Sequence, residues 1–347
     1  MAIYLAYETA VEAIAYLRTR GANDTSWNEP CRKERIRDAI HTAREFKELP
    51  TRSYSVLDQL TRPLHILVPN RNQGRTTADL RPHVWSGPIP SRSFIELEPG
   101  VFLSTPAFTF LQMATELSLI ELIQLGMMFC GFYSSDPSFG RRASNGAIDT
   151  PLVELHRQMV ASATYFEIDP VCKTTVLKSY IRRAKGCRGS GPAGEAVKWV
   201  RDTAASHMET ALYLLLCLPV RMGGYGLPKP ELNPGVTVMQ ASGSKTLFPD
   251  LYWSGPSIDV EYNSDTEHSG PSANYRDSRR MVAIVCNKIT YLSIATGQLY
   301  RAEDLDNAAR GLARMLKHRI RVDADWRARR AELRSEVLPP IDRYEGL

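Results

Sequence analysis

Apolar residues recur every three or four positions near the start of the chain, which predicts an amphipathic first helix. The residues that carry this spacing are Tyr7, Val11, Ile14 and Leu17. A second, basic helix is predicted over residues 32–46, and the pattern then changes to short β-rich runs, which predict strands. These strands cover residues 65–68, 94–97 and 101–104. Together with a loop over residues 70–93, they predict a small mixed sheet.

A nearly continuous apolar stretch over residues 108–132 predicts a helical pair at the core of a first unit. Thr105 and Pro106 precede it in the order of a cap residue and a first helical residue. Three more helices are predicted over residues 152–163, 174–183 and 193–204. The segment RRAKGCRGSGPAG between the last two has the composition of a linker. We therefore expect a first unit over residues 1–190 and a second over residues 200–347.

The second unit is predicted to begin with a helix over residues 206–218 and to continue with strands and further helices. Predicted strands cover residues 236–239, 246–253, 258–262 and 290–294, and predicted helices cover residues 275–284 and 303–317. A helix, three strands, a helix and a strand follow one another as in an α/β layer fold. We expect a mixed sheet flanked by helices, preceded by a mainly helical α+β unit.

Composition and charge narrow the range of partners. The 347 residues carry a net charge of +5, and only ten of the 43 basic residues are lysine. Arginine suits phosphate recognition because its planar fork donates hydrogen bonds in pairs, although a GC-rich genome gives the same bias without a function. The longest apolar stretches, such as residues 211–220, are shorter than the roughly 20 residues that cross a bilayer. Glu8 and Glu12 interrupt the apolar start, so we expect a cytoplasmic protein with no membrane partner.

Three acidic residues carry the candidate chemistry of the second unit. Glu209 follows Ser206 in a predicted helix, Asp250 begins a predicted strand, and Glu261 lies eleven positions later on the next strand. Neighbouring strands can present two acids side by side, and carboxylates are ligands of Mg²⁺ or Mn²⁺. Such a metal would activate water for phosphodiester hydrolysis, with His268 as the base. Taken singly, each acid is more simply a solvated or capping residue.

The order of these motifs resembles a known family of nucleases. The segments S-x-x-E, P-D, V-E-Y-N-S-D-x-x-H and Y-R-D-S-R-R, spread over residues 205–320, resemble the Vsr-like (very-short-patch-repair) branch of the PD-(D/E)XK nucleases. The resemblance implies a restriction-endonuclease-like fold, metal binding by Asp250 and Glu261, and a helix-borne acid at Glu209. It also matches His268 to the family's histidine, and Asp277, Arg279 and Arg280 to a following acidic and basic segment. We expect the two arginines to bind phosphate.

The chain differs from the pattern of this family at one position, and its first unit resembles a second family. Many members carry lysine two residues after the second acid, where this chain has Asn263. Asparagine supplies no charge, so His268 or Arg280 takes over that role, or the site has lost catalysis. The first unit, with L-H-I-L-V-P and V-F-L-S-T-P-A, resembles AbiEi-like antitoxins and regulators of type IV toxin–antitoxin systems. That resemblance implies a DNA-binding part within residues 1–60.

Two functions from different classes follow from these observations. The first is a Mg²⁺- or Mn²⁺-dependent DNA endonuclease, and an RNA-directed nuclease would use the same chemistry. The second is a degenerate, DNA-binding regulator or antitoxin that acts with a partner protein encoded nearby. Zinc is not expected, because the histidines have no spacing that suggests a zinc site. These histidines are His65, His83, His156, His207 and His318.

Overall fold

The computed structural model describes residues 1–20, 36–49, 55–85, 87–135, 164–240, 243–264 and 271–339. The chain has a mixed α/β fold and divides into two units, Met1–Val200 and Arg201–Leu347. The predicted helix over residues 152–163 lies outside the described residues, as does His268. Among the helices that are described, none has both the length and the hydrophobicity needed to cross a bilayer.

A five-stranded mixed sheet forms the centre of the first unit. Its strands are β1 (Ile3–Leu5), β2 (Leu64–Val68), β3 (Leu80–Val84), β4 (Phe94–Glu98) and β5 (Val101–Ser104). They are ordered β3-β2-β1-β5-β4, with β1 parallel to β5 and antiparallel to β2, and with β2 parallel to β3. The central strand β1 was not predicted, because three apolar residues are too few to show a period. The predicted loop over residues 70–93 is wrong where β3 lies, since Pro82 and polar neighbours hide an edge strand.

The described part of the first unit also contains six α-helices, of which the first and third contact the sheet. They are α1 (Tyr7–Thr19), α2 (Ala43–Lys47), α3 (Pro106–Met113), α4 (Leu119–Cys130), α5 (Thr174–Arg183) and α6 (Ser190–Ala196). A short hairpin of β6 (Tyr133–Ser135) and β7 (Thr164–Phe166) completes the described part of this unit. Capping boxes at Thr42 and Ser118 fix where α2 and α4 begin. The predicted helix over residues 32–46 has the wrong bounds, because α2 begins only at Ala43. The predicted helix over residues 193–204 also has the wrong bounds, because α6 begins at Ser190, inside the segment predicted as a linker.

The second unit is built on a four-stranded sheet ordered β13-β12-β11-β8. Its strands are β8 (Glu231–Leu232), β11 (Leu251–Trp253), β12 (Ile258–Asn263) and β13 (Thr290–Ala295), and β9 (Val236–Gln240) and β10 (Gly243–Leu247) form a separate hairpin. The helices are α7 (His207–Cys217), α8 (Pro271–Cys286), α9 (Thr296–Tyr300), α10 (Ala302–Met315) and α11 (Trp326–Val337). Strand β12 runs antiparallel to β11 and parallel to β13. Helix α7 contacts β12, and α8 contacts β13 and the hairpin.

The predicted strand over residues 246–253 is in fact two strands. Pro249 lies between β10 and β11, and because proline donates no backbone hydrogen bond it favours an interruption there. Leu247 packs with Val238 of the hairpin, whereas Leu251 pairs with Val260 in the main sheet. The interruption places Asp250 directly before the first residue of β11.

Gly223 allows α11 to approach the turn that follows α7, whereas the adjacent Gly224 lies against the backbone of Leu218. Gly223 has φ +89°, and a Cβ atom built on it would lie 2.3 Å from the carbonyl oxygen of Arg329. The indole Nε1 of Trp326 donates a hydrogen bond of 2.9 Å to the carbonyl oxygen of Gly224, and the Trp326 ring meets Tyr225 edge-on. The segment GGYGLPKP is thus a turn against which α11 packs.

Gly223→Ala is expected to destabilise the second unit by more than about 2 kcal/mol, because alanine is strained at this φ and its methyl group overlaps backbone atoms of α11. Gly255→Ala is the matched control, since a Cβ atom there meets nothing within 4 Å. Urea denaturation of both variants and the wild type measures the difference. Equal midpoints for the two variants would contradict the assigned role of Gly223.

Candidate functional site

Asp250 and Glu261 lie beside each other on neighbouring antiparallel strands. Leu251 of β11 pairs with Val260 of β12, so the residue before the first and the residue after the second occupy adjacent positions. The backbone N–H of Tyr262 donates a hydrogen bond of 2.7 Å to Oδ2 of Asp250. This bond holds the Asp250 carboxylate against β12.

A third acid, which the sequence analysis did not single out, shares this face of the sheet. Alternate residues of a strand point to the same side, so Asp259, Glu261 and Asn263 form one row along β12. Asp259 is 1% exposed, both of its carboxylate oxygens are buried, and its side chain is hydrogen-bonded to that of Glu261. The signal that could have found it is the two-residue spacing in I-D-V-E-Y-N.

Arg280 reaches the row of acids from helix α8. Its Nη2 contacts Oε1 of Glu261 and lies 3.9 Å from Oδ2 of Asp259. The Arg280 side chain is 31% exposed, so the guanidinium stands at the edge of the site between the acids and the solvent. The expected phosphate-binding residue therefore pairs with acids in this structure. The side chains of Asp277 and Arg279 lie outside the described part of the chain.

The acids perturb one another strongly. Burial, followed by the charges of Asp250 and Asp259, raises the pKa of Glu261 to about 10, and Arg280 opposes this rise. Burial, followed by the charge of Glu209, raises the pKa of Asp250 well above its ordinary value. Burial likewise raises the pKa of Asp259. Perturbed acids grouped in this way are typical of functional sites.

Glu209 lies at the first turn of α7, and its carboxylate caps the helix. Oε2 accepts hydrogen bonds from the backbone N–H of Ala205 at 2.9 Å and from Nδ2 of Asn233 at 2.6 Å. Oε1 accepts a bond of 3.0 Å from the hydroxyl of Ser206, whose Oγ in turn accepts from the N–H of Glu209. Glu209 is therefore a fixed capping acid whose charge acts on Asp250.

The three acids predicted to converge do not form a compact three-ligand set. Within the described residues, the three potential ligand atoms that all lie within 4.8 Å of one another belong to other side chains. Asp250 and Glu261 remain the adjacent pair, and Glu209 acts on Asp250 through its charge. A metal at this site would thus have two protein carboxylates, which is the usual number for Mg²⁺.

Asn263 lies two residues after Glu261, at the end of β12. Its side-chain Nδ2 donates a hydrogen bond to the hydroxyl of Ser293 on β13. Its backbone carbonyl oxygen accepts a hydrogen bond of 3.3 Å from the hydroxyl of Thr296. The side chain thus ties β12 to β13 and brings no charge to the site.

A second group of potential ligands lies in the first unit. It consists of Glu8 on α1, His65 on β2 and His83 on β3. The histidine spacing predicts no zinc site, but the parallel pairing of β2 with β3 places His65 and His83 on one face. Their separation of 18 residues matches no short metal-binding motif, so no local sequence pattern points to them.

Comparison of the chain with models of protein families, with curated proteins and with solved structures gave no match. The resemblance to Vsr-like and AbiEi-like proteins therefore stays a prediction from the motifs quoted above. The chemistry assigned to the acids of the second unit, and to Glu8, His65 and His83 of the first, is inferred from the geometry described above.

Proposed function

We propose that the second unit is a Mg²⁺- or Mn²⁺-dependent endonuclease that hydrolyses the phosphodiester backbone of DNA, with Asp250 and Glu261 as metal ligands. The observation that carries this proposal is a buried excess of negative charge. Asp250, Asp259 and Glu261 share one face of the sheet, and Arg280 is the basic residue of the described part that contacts them.

Burying carboxylates against each other is costly, and a protein can meet that cost in two ways. The acids can hold protons, as the raised pKa values of Asp250 and Glu261 indicate, or they can bind a cation. A hard divalent ion accepts one or two protein carboxylates and completes its shell with water and phosphate oxygens. The pair formed by Asp250 and Glu261 matches that requirement.

The order of the elements also supports the proposal. Helix α7 is followed by strand β8, the hairpin of β9 and β10, strands β11 and β12, helix α8 and strand β13, with β12 parallel to β13. Asp250 lies directly before the second strand of the sheet and Glu261 in the middle of the third. This is the arrangement that the resemblance to the PD-(D/E)XK nucleases implies.

The residues of the site have distinct tasks under this proposal. Asp250 and Glu261 would hold the metal, which would activate water and neutralise negative charge on the phosphate oxygens. Tyr262 orients Asp250 through its backbone N–H, and the capped carboxylate of Glu209 adds negative charge beside it. Arg280 brings guanidinium donors to the exposed edge, where a phosphate oxygen is the matching acceptor.

A second candidate function is a non-catalytic DNA-binding regulator. The observation that favours it is Asn263, which has no charge and whose amide is engaged by Ser293. In such a protein, Arg280 would remain paired with Glu261, and the acids would hold protons instead of a metal.

Wild-type protein is expected to nick supercoiled plasmid in Mn²⁺ or Mg²⁺ and to lose this activity in EDTA. The double variant Asp250→Asn, Glu261→Gln should cut at least about a thousandfold more slowly, because both ligands are gone. Glu303→Gln, an exposed acid on α10, is the matched control and should cut like the wild type. Isothermal titration with Mn²⁺ measures binding in parallel.

Two outcomes would contradict the endonuclease. Equal nicking by the wild type and the double variant would assign the activity to other residues. Absence of Mn²⁺ binding, together with retardation of duplex DNA that weakens steeply with salt, would establish the regulator instead.

A further inference from the structure

The first unit brings one carboxylate and two imidazoles together from three different elements. Glu8 lies in the first turn of α1, His65 on β2 and His83 on β3. Glu8 Oε2 contacts Nδ1 of His65, and the carboxylate and both ring nitrogens lie within 4.8 Å of one another. We propose that these three side chains bind a divalent transition-metal ion of the zinc type, independently of the acids of the second unit.

The spacing of the two imidazoles fits a shared metal. Nε2 of His83 lies 3.2 Å from Nδ1 of His65. Two ligands on a tetrahedral zinc ion, each at about 2.0–2.1 Å, are separated by roughly 3.3 Å. The register of β2 and β3, in which His65 pairs with Arg81 and Leu67 with His83, turns both imidazoles to the same face.

Protons alone cannot satisfy this arrangement well. Nδ1 of His65 contacts both Oε2 of Glu8 and Nε2 of His83, yet one ring nitrogen carries at most one proton. If Nδ1 donates to Glu8, it has no lone pair left for His83. If it accepts from His83, its lone pair faces the carboxylate oxygen. A cation that accepts a lone pair from all three atoms removes the conflict.

The Glu8 carboxylate gives a second, independent indication. Both of its oxygens are buried, and its hydrogen bonds come from the His65 ring and from its own backbone N–H. A buried carboxylate is costly unless a charge compensates it. His65, which is 8% exposed in its side chain, contacts only one of the two oxygens in the described structure.

The surrounding residues hold the ligands in place. The hydroxyl oxygen of Thr9 accepts a bond of 2.8 Å from the N–H of His65, and the ring of Tyr7 stacks on His83 at 4.0 Å between centroids. Tyr7 itself has φ +50°, and its N–H donates to Oε1 of Gln112 at 3.1 Å. A bulky residue rarely adopts this φ, and strain of this kind collects at functional sites.

The ligand types select the metal. Imidazole suits zinc, copper, iron and nickel, whereas Mg²⁺ and Ca²⁺ prefer oxygen. Two histidines and one glutamate form one of the sets that hold zinc with a remaining position for water. Such an ion would also join α1 to β2 and to the edge strand β3.

Metal-stripped, full-length protein titrated with Co²⁺ and with Zn²⁺ tests this site. Co²⁺ is expected to give visible absorption bands of a four- or five-coordinate ion, and Zn²⁺ should displace it. His83→Gln and Glu8→Gln should each weaken Zn²⁺ binding by about a hundredfold or more. His41→Gln, a partly exposed histidine of the same unit, is the matched control and should bind like the wild type.

The double variant Asp250→Asn, Glu261→Gln separates this proposal from the endonuclease, because it should keep the Co²⁺ spectrum unchanged. Circular dichroism of the metal-free variants checks that each is folded. A wild-type protein that binds neither ion would overturn the site, and so would an unchanged Co²⁺ spectrum in folded His83→Gln and Glu8→Gln. Loss of the spectrum only in the second-unit double variant would assign the ion to the other group.

Discussion

Asp250→Asn is expected to have two effects of opposite sign: the metal-free protein becomes more stable, and metal-dependent DNA cleavage falls about a thousandfold, or ~4 kcal/mol in activation free energy. Asparagine has nearly the same shape and keeps an oxygen that can accept the hydrogen bond from the N–H of Tyr262. It removes, however, a buried negative charge beside Glu209 and Glu261. Removal of this buried charge is expected to add about 1–2 kcal/mol to the free energy of unfolding.

The gain in stability should grow as the pH rises. The pKa of Asp250 is raised in the folded protein by burial and then by Glu209, so the folded state holds its proton at pH values where the unfolded state has lost it. The favourable contribution is complete below the ordinary pKa of aspartate, about 3.9, and is lost as the pH rises toward the folded value. Wild type thus loses stability over this window through Asp250, and Asp250→Asn does not.

Thermal and urea denaturation in EDTA at pH 5 and pH 8 measure this difference, with Glu303→Gln as the control. Plasmid cleavage in Mn²⁺ is measured on the same preparations. If Asp250→Asn is less stable than the wild type at pH 8, the carboxylate stabilises the fold as a hydrogen-bond acceptor, and the prediction that it destabilises the metal-free protein is wrong. If the variant is more stable yet cleaves at the wild-type rate, Asp250 is not a metal ligand.

The sequence was sufficient to place two of the acids but not to define their partners. Asp250 and Glu261 fall on consecutive strands, and antiparallel pairing of consecutive strands brings such residues together. Asp259 was missed because an acid inside a β-rich run is ordinarily assigned to the solvent face. The contact between Arg280 and Glu261 depends on how α8 packs on the sheet, which no local pattern encodes.

Glu209 shows how one motif supports two interpretations. The pattern S-x-x-E is the signature of a capping box, and the structure places Ser206 and Glu209 in those positions. The same carboxylate raises the pKa of Asp250. The sequence alone could not decide between cap and metal ligand, because both require an acid in the first turn of α7.

The group formed by Glu8, His65 and His83 was beyond the reach of sequence patterns for a topological reason. Strands β2 and β3 are parallel, and their register is set by the whole five-stranded sheet. Pro82 between the two polar residues of β3 makes the strand look like a loop. Residues that meet through such pairing share no periodicity.

Replacement of Arg18 is expected to lower the stability of the first unit strongly. It lies in the last turn of α1, where the sequence suggests a solvated base, but it is only 7% exposed. Each N–H of its guanidinium donates to a backbone carbonyl oxygen. These oxygens belong to Met128, Gly131, Tyr133, Ile168 and Asp169, at 2.9 to 3.5 Å.

Arg18→Met is therefore expected to lower the free energy of unfolding of the first unit by at least about 3 kcal/mol, because several buried carbonyl groups lose their donors together. Burial lowers the pKa of Arg18 to about 10, so it stays charged at neutral pH. Arg18→Lys keeps the charge but not the planar fork, and should recover only part of the loss. Arg44→Met, which replaces an exposed arginine on α2, should change stability by less than about 0.5 kcal/mol.

Urea denaturation, with hydrogen exchange of the peptides around residues 128–133 and 166–170, measures these effects. Equal exchange rates in wild type and Arg18→Met would show that α1 and the end of α4 are held together by apolar packing, and that the guanidinium fills space without adding stability.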